Sequence, residues 1–463
     1  MSENKELREK LFRNKKNAFH QMNDVQLQDC NAFADGYKAF LDASKTERES
    51  VCSAVTLLEN AGFSEFKFGM PLKAGDKVYI VNRGKAVIAA VIGSEPIADG
   101  VKICAAHIDV PRLDLKQNPL YESSELAFFK THYYGGIKKY QWTAVPLALH
   151  GVIIRADGAA VTVAIGEDEG EPVFCVTDLL PHLATEQYKR PLNEGIKGEE
   201  LNILVGSYPF KDDDAAGSVK LNILNILNEK YGITEEDFVS AELEAVPAHK
   251  ARDVGFDRSM VGAYGHDDRV CSYAALAAIL QCENPKHTAV TVLTDKEETG
   301  SDGNTGLNSA YMRYFIEDLA SSFETPVRKV LSASQCLSAD VNAAFDPTFP
   351  DVLESNNCSY MGKGVVLTKY TGSRGKANTS DASAELVGTV RRLLDSEGIS
   401  WQTGELGRVD IGGGGTVAMF VANLNVDVID VGVPVLSMHS PFEIVSKTDL
   451  FMTIKAFIAF FNS

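Results

Sequence analysis

The chain has 463 residues, which at ~150 residues per domain suggests two or three domains and ample length for a large core. Its 45 Lys+Arg against 63 Asp+Glu leave a net charge of −18, which argues against a nucleic-acid backbone or an anionic membrane as partner. The one evident basic run, Arg13-Asn14-Lys15-Lys16, is short and reads as a solvated helix face.

The first residues, MSENKELREK, show no apolar leader, and no window reaches ~18 uninterrupted apolar residues. Eight cysteines are scattered without a CxxC pair, so reduced thiols in a soluble, cytoplasmic protein are expected. Residues 31–63 read as two amphipathic helices, the second stopped by Gly62, and residues 77–93 as a hairpin turning at Asn82-Arg83-Gly84. VKICAAHID is a buried strand running into His107. From 111 to 252 the texture changes: WTAVPLALHGVIIRADGAAVTVAIG gives short β-rich segments broken by Gly and Asp, the pattern of an antiparallel insert.

From 253 onward helix and strand alternate. VCSYAALAAILQ is a helix, and AVTVLTD, KVLSASQ and GVVLTKY are strands. ASAELVGTVRRLLDSEG is a helix with Leu386, Val390, Leu393 and Leu394 on one face and Gly398 as its stop. VDVIDVGVPVL reads as one strand and KTDLFMTIKAFIAFFNS as a closing helix. The alternation predicts an α/β fold, three layers around a largely parallel central sheet, built from residues 1–110 and 253–463 and interrupted by a β-rich insert at 111–252.

Open α/β sheets collect function at the carboxyl ends of their strands. His107 stands there after VKICAA, Asp295 to Glu298 after AVTVL, Asp340 after KVLSAS and His439 after DVGVPVL, while Asp267 sits at the positive end of a helix. Singly, each has a plain reading as a structural histidine, a solvated acidic turn or a helix cap. Together they form a carboxylate-and-imidazole set suited to a pair of zinc-like ions. The adjacent Glu297 and Glu298 suit divided roles, one binding metal and the other moving a proton. There is no P-loop, GxSxG elbow or HExxH helix, and Gly413–Ala418 fits GxGxxA without the βαβ unit that pattern needs.

HIDVPRLDLK, GHDDRVCSYAAL, DKEETGSDG, SADVNAAFDP and LSMHS resemble, in that order, the motifs of the M18 metallopeptidases, the aspartyl aminopeptidase and aminopeptidase I group. HYYGGIKKYQWTAVPLALHGV and DIGGGGT extend the similarity over essentially the whole chain. The resemblance implies an aminopeptidase with two divalent ions per chain, zinc first and cobalt or manganese as alternatives. Its substrates would be peptides with a free N-terminus. The insert would be a dimerisation domain, and the homo-oligomer a tetrahedral dodecamer with active sites facing an internal chamber. By the same resemblance Asp267 bridges the metals, His107 and Asp340 complete one shell, and Glu298 and His439 complete the other. Glu297 is then the general base for a metal-bridged water, and Asp109 orients an imidazole; chemically, Asp268 could ligate as well as Asp267.

In the aspartyl branch a basic residue reads the substrate carboxylate, and Lys369 occupies a comparable position, with an exposed strand-end lysine as its plain reading. Other branches take neutral residues such as leucine, so an acidic or neutral N-terminal residue is expected. A histidine from a neighbouring subunit assists the site in the aspartyl enzymes. His182 is kept in that region here, but Glu186 stands where those enzymes have a second histidine. The rival readings are a dipeptidase or amide deacylase on a related two-zinc fold, and a non-catalytic assembly protein, which would have no need of Glu297.

Overall fold

In strand Val101–His107, Ile103 and Ala105 face one buried cluster while Cys104 and Ala106 face another. That alternation belongs to a strand covered on both sides. The computed structural model describes residues 3–13, 16–211, 213 and 215–463. Of the basic run, Asn14 and Lys15 lie outside the described residues.

Val101–His107 lies inside a nine-stranded sheet in the order Ser64–Glu65, Lys77–Asn82, Ala86–Val91, Thr288–Thr294, Val101–His107, Gln335–Ser338, Asp427–Gly432, Val365–Thr368, Trp401–Thr403. The strands Thr288–Thr294, Val101–His107, Gln335–Ser338 and Asp427–Gly432 are mutually parallel, and antiparallel partners flank them. One face is covered by helices Asp24–Ala43, Glu47–Asn60, His266–Leu280, Ala384–Ser396 and Lys447–Phe461, the other by Tyr311–Ser321, Val327–Ala333 and Ala418–Ala422. Fully buried side chains such as Leu450 and Phe457 each contribute about 1.5–3 kcal/mol relative to exposure.

Local signals set the boundaries. Capping boxes open two helices, Asn23 with Gln26 and Thr46 with Glu49. The first helix therefore begins at Asp24, upstream of the apolar periodicity. The hairpin turns through Arg83 and Gly84, both left-handed at φ 56° and 69°, the geometry that matches the twist of paired strands. In Ala384–Ser396, Leu386, Val390 and Leu394 are buried, and Leu393 packs at their edge.

Two expectations need correcting. KVLSASQ is not a strand: Pro326 opens a helix, Val327–Ala333, which turns Val330 and Leu331 onto the sheet, and the strand starts only at Gln335. VDVIDVGVPVL is two strands in two sheets, Asp427–Gly432 and Pro434–Leu436. Pro434, which has no N–H to give a ladder, starts the second.

A seven-stranded antiparallel sheet, Ala160–Ile165, Leu147–Ile154, Ala241–Pro247, Arg112–Ser123, Leu126–Tyr134, Ile203–Gly206, Cys175–Val176, encloses its own core around Trp142 and Leu149. A smaller sheet, Arg252–Val254, Met260–Ala263, Glu443–Ser446, Pro434–Leu436, Asn342–Ala343, is built from segments after residue 251 and carries the loop of His439. All eight cysteines are free thiols and six are buried. Among the described residues, no helix is long and apolar enough to cross a membrane.

Candidate metal centre

Strand register brings the first donors together. Thr294 is level with His107 across one parallel pair, and Ser338 with Ala105 across the other, so Asp340 comes level with His107 two residues later. Beyond Thr294 the chain turns through Lys296, left-handed at φ 66°, into the single helical turn Glu297–Thr299. Asp267 reaches the same place from the start of helix His266–Leu280, where Asp267 and Asp268 leave helical geometry. His439 comes from the loop between Pro434–Leu436 and Glu443–Ser446.

The two oxygens of Asp267 face different imidazoles. Oδ1 lies 3.2 Å from His107 Nε2, and Oδ2 lies 3.1 Å from His439 Nε2. His107 Nε2 is also 3.9 Å from Asp340 and 4.0 Å from Glu297, and His439 Nε2 is 3.6 Å from Glu298 Oε1. Donor atoms of His107, Asp267 and Glu298 lie within 4.8 Å of one another, as do those of His107, Asp268 and Asp340. Asp268 is wholly buried, against the His107 and Asp340 side.

Two further carboxylates hold the backbone of this set. Asp109, fully buried, accepts the N–H groups of Glu297 and Glu298, each at 3.1 Å, and the Tyr134 hydroxyl at 2.7 Å, and lies 3.4 Å from His107 Nδ1. Glu443 accepts the N–H of Asp267 at 3.1 Å and that of His439 at 2.6 Å. His439 Nδ1 is 2.7 Å from the carbonyl of Gly136, fixing the ring from its far side. Tyr134 and Gly136 belong to the Leu126–Tyr134 strand and the turn after it, so the antiparallel sheet reaches into the centre.

The charge balance favours cations. Glu298 Oε1 is buried without a hydrogen-bond partner among the described residues, an unfavourable state for a carboxylate that a divalent ion relieves. Burial opposes charge on the imidazoles, yet Asp109 and Asp267 hold His107 well above the usual histidine range, and Asp267 and Glu298 push His439 up to about 10. Burial, with Asp109 and Asp267 adding, pushes Glu297 up to about 7, and burial also raises Glu298 and Asp340. Oxygen and imidazole donors of this kind suit zinc.

A sequence profile described as Aminopeptidase I zinc metalloprotease (M18) matches residues 40–461. The chain belongs to the M18 family. It is a metallo-aminopeptidase, a zinc-dependent hydrolase by family. The probable M18 family aminopeptidase 1 of Clostridium acetobutylicum is 52% identical over 98% of this chain and 99% of its own length. The M18 aminopeptidase structure from Thermotoga maritima superposes with a TM-score of 0.93 at 44% identity, covering 97% of this chain and 100% of that one. A yeast relative, the mApe1 dodecamer, shares the fold at 22% identity, with a TM-score of 0.75 over 92% of this chain and 96% of its own.

The M18 motifs of the sequence thus converge on one centre, and the two residues offered for substrate contact, Lys369 and His182, are not among the contacts of that centre given above. Lys369 is exposed and pairs with Asp381 at 2.7 Å. His182 lies on an exposed turn, Pro181–Leu183, and none of the contacts described above involves it. Sequence reasoning did not single out Glu443, Tyr134 or Gly136. They act on backbone groups or on other side chains' far atoms, and the only signal was their presence inside quoted M18 motifs or just beyond one.

Proposed function

We propose that the chain removes N-terminal residues from peptides with two zinc ions, one held by His107 and Asp340, the other by Glu298 and His439, with Asp267 shared. The observation that carries this is the splitting of Asp267, whose two oxygens serve two imidazoles 3.2 and 3.1 Å away. Asp268, grouped only with His107 and Asp340, is a less suitable bridge. When bound, the ions supply Lewis acidity, polarising the scissile carbonyl and making water a nucleophile near neutral pH. Glu297 takes the proton of the attacking water and delivers it to the leaving amine, a task suited to a carboxyl at the edge of the centre, 4.0 Å from His107 Nε2. Asp109 keeps the His107 ring and the Glu297–Glu298 backbone in place. The crowd of carboxylates attracts a substrate's free α-ammonium, which an internal peptide bond cannot offer.

A cavity of about 760 Å³ opens beside His439, lined among others by Phe349, Leu353, Leu406, Ile411 and Met438. The apolar part of that lining, which also includes Lys138 and Asp346, favours a neutral side chain, and Lys369 is paired with Asp381 at 2.7 Å. We further propose that residues 111–252 form a dimerisation domain within a tetrahedral dodecamer in the cytoplasm. The exposed Leu179, Leu180, Leu183, Tyr188 and Leu192 support such an interface, and they surround His182. The yeast relative's dodecamer and the eight free thiols fit this reading. A panel of aminoacyl-p-nitroanilides, with N-acetylated controls, tests the activity. Leu over Asp, and no release of p-nitroaniline from blocked substrates, is expected; release of acetate from the blocked substrates would point to a deacylase instead.

A further inference from the structure

Glu443 is about 1% exposed, and among the described residues no lysine or arginine forms an ion pair with it. A buried carboxylate without a cation is costly where an apolar side chain would pack equally well. What Glu443 does have is two main-chain donors, one from its own loop and one from far along the chain: Oε1 receives His439 N–H at 2.6 Å and Oε2 receives Asp267 N–H at 3.1 Å. Neither donor sits in regular structure. Asp267 has ψ 103° at an irregular helix start, and His439 and Ser437 are left-handed at φ 63° and 58°. Glu443 itself is rigid, because it begins the strand Glu443–Ser446, paired with Ala263 on the neighbouring strand.

We propose that Glu443 is a positioning residue that sets the distance between the shared carboxylate of Asp267 and the His439 imidazole, and thereby the affinity of the ion held on that side. The geometry parallels Asp109, which grips the backbone of Glu297 and Glu298 in the same two-oxygen fashion. The pair of carboxylates thus fixes Asp267, Glu297, Glu298 and His439 while leaving their side chains free to take metal. The inference rests on the two-ion reading above.

Glu443→Gln conserves size but offers one acceptor oxygen, so its amide NH₂ meets one of the two N–H groups. Stepwise zinc titration of the full-length protein against a chromophoric chelator reads the consequence. Both ions share Asp267, so both should bind more weakly, but the one on the His439 side, which loses the positioning of two ligands, most, by about 10–100-fold, the range found when a group supporting a ligand is removed. Turnover should recover at high zinc. Equal affinity for both equivalents in Glu443→Gln and the unaltered protein would overturn the proposal, whatever happens to the melting temperature. Should the variant not fold, hydrogen exchange at single amides of the unaltered protein decides. Asp267 and His439 N–H should be protected with zinc and after chelation, and rapid exchange in both states would refute the clamp. An unaltered protein binding only one ion would defeat the two-ion reading while leaving that exchange result intact.

Discussion

The two imidazoles of the centre are built in opposite ways. His107 is 2% exposed and ends a strand paired on both sides, and its Nδ1 is satisfied 3.0 Å away by the carbonyl of Asp109 in its own segment. His439 is 35% exposed, stands on a loop with φ 63°, and relies on the Gly136 carbonyl from 303 residues away. One side of the centre is therefore a by-product of forming the central sheet, while the other is assembled from loops of separate sheets. The second side borders the cavity, so it is where substrate and the antiparallel sheet act on the chemistry.

Glu297→Gln sharpens the contrast most, because it should disturb neither side. Metal content and melting temperature are expected to stay unchanged while kcat falls by about 10²–10⁴, the usual worth of a general base. Near-normal turnover with two ions bound would reject Glu297 as the base. Tyr134→Phe asks whether the antiparallel sheet also reaches the buried side. It removes the hydroxyl that donates to Asp109 but leaves both backbone donors. A hydrogen bond to a charged group is worth about 1.5–3 kcal/mol, so a loss in kcat of about 10–150-fold is expected, with the fold intact by circular dichroism. An unchanged kcat would confine the insert's influence to the His439 side.

The same contrast decides what could be read from the sequence. Apolar β-branched runs announce central strands, and once these pair in parallel their register carries His107 and Asp340 to one level and leaves Glu297 one turn beyond the end of its strand. Nothing local announces that His439 will meet Gly136, or that Tyr134 will reach Asp109 across a chain reversal. Glu443 looked like any acidic residue before a strand, since its partners are backbone groups that every residue possesses. The misread KVLSASQ failed for a related reason. Its few apolar residues fit either period, and the deciding signal, Pro326, lies outside the run. Lys369 shows the limit of position alone: the sequence places it at a strand end, but Asp381, twelve residues on, determines its charge environment.

The smallest expected effect concerns protons in place of metal. With no ion bound, His439 has a pKa near 10 and His107 is raised in the same direction, both above the unfolded value of about 6.5. Protonation of these rings stabilises the fold fully below that value, and the contribution fades as pH rises through the folded pKa. The raised carboxyls, Glu297 near 7 among them, act with the same sign, because each is held neutral by the fold and charges at a penalty as pH climbs. Asp267, lowered instead, matters only in acid. The chelated protein should therefore lose melting temperature steadily between pH 7 and 10, whereas the zinc-loaded protein, whose donors have already given up their protons to metal, should stay nearly flat. His439→Ala should flatten that slope between pH 7 and 10, leaving the share due to His107, with the size of the change reduced by the solvent that screens the partly exposed ring. Paired melts with and without chelator across this range provide the check. Parallel slopes in the two states would mean that the imidazoles and carboxyls do not exchange protons for metal, and the cage would then be held together by something other than the charges that surround Asp267.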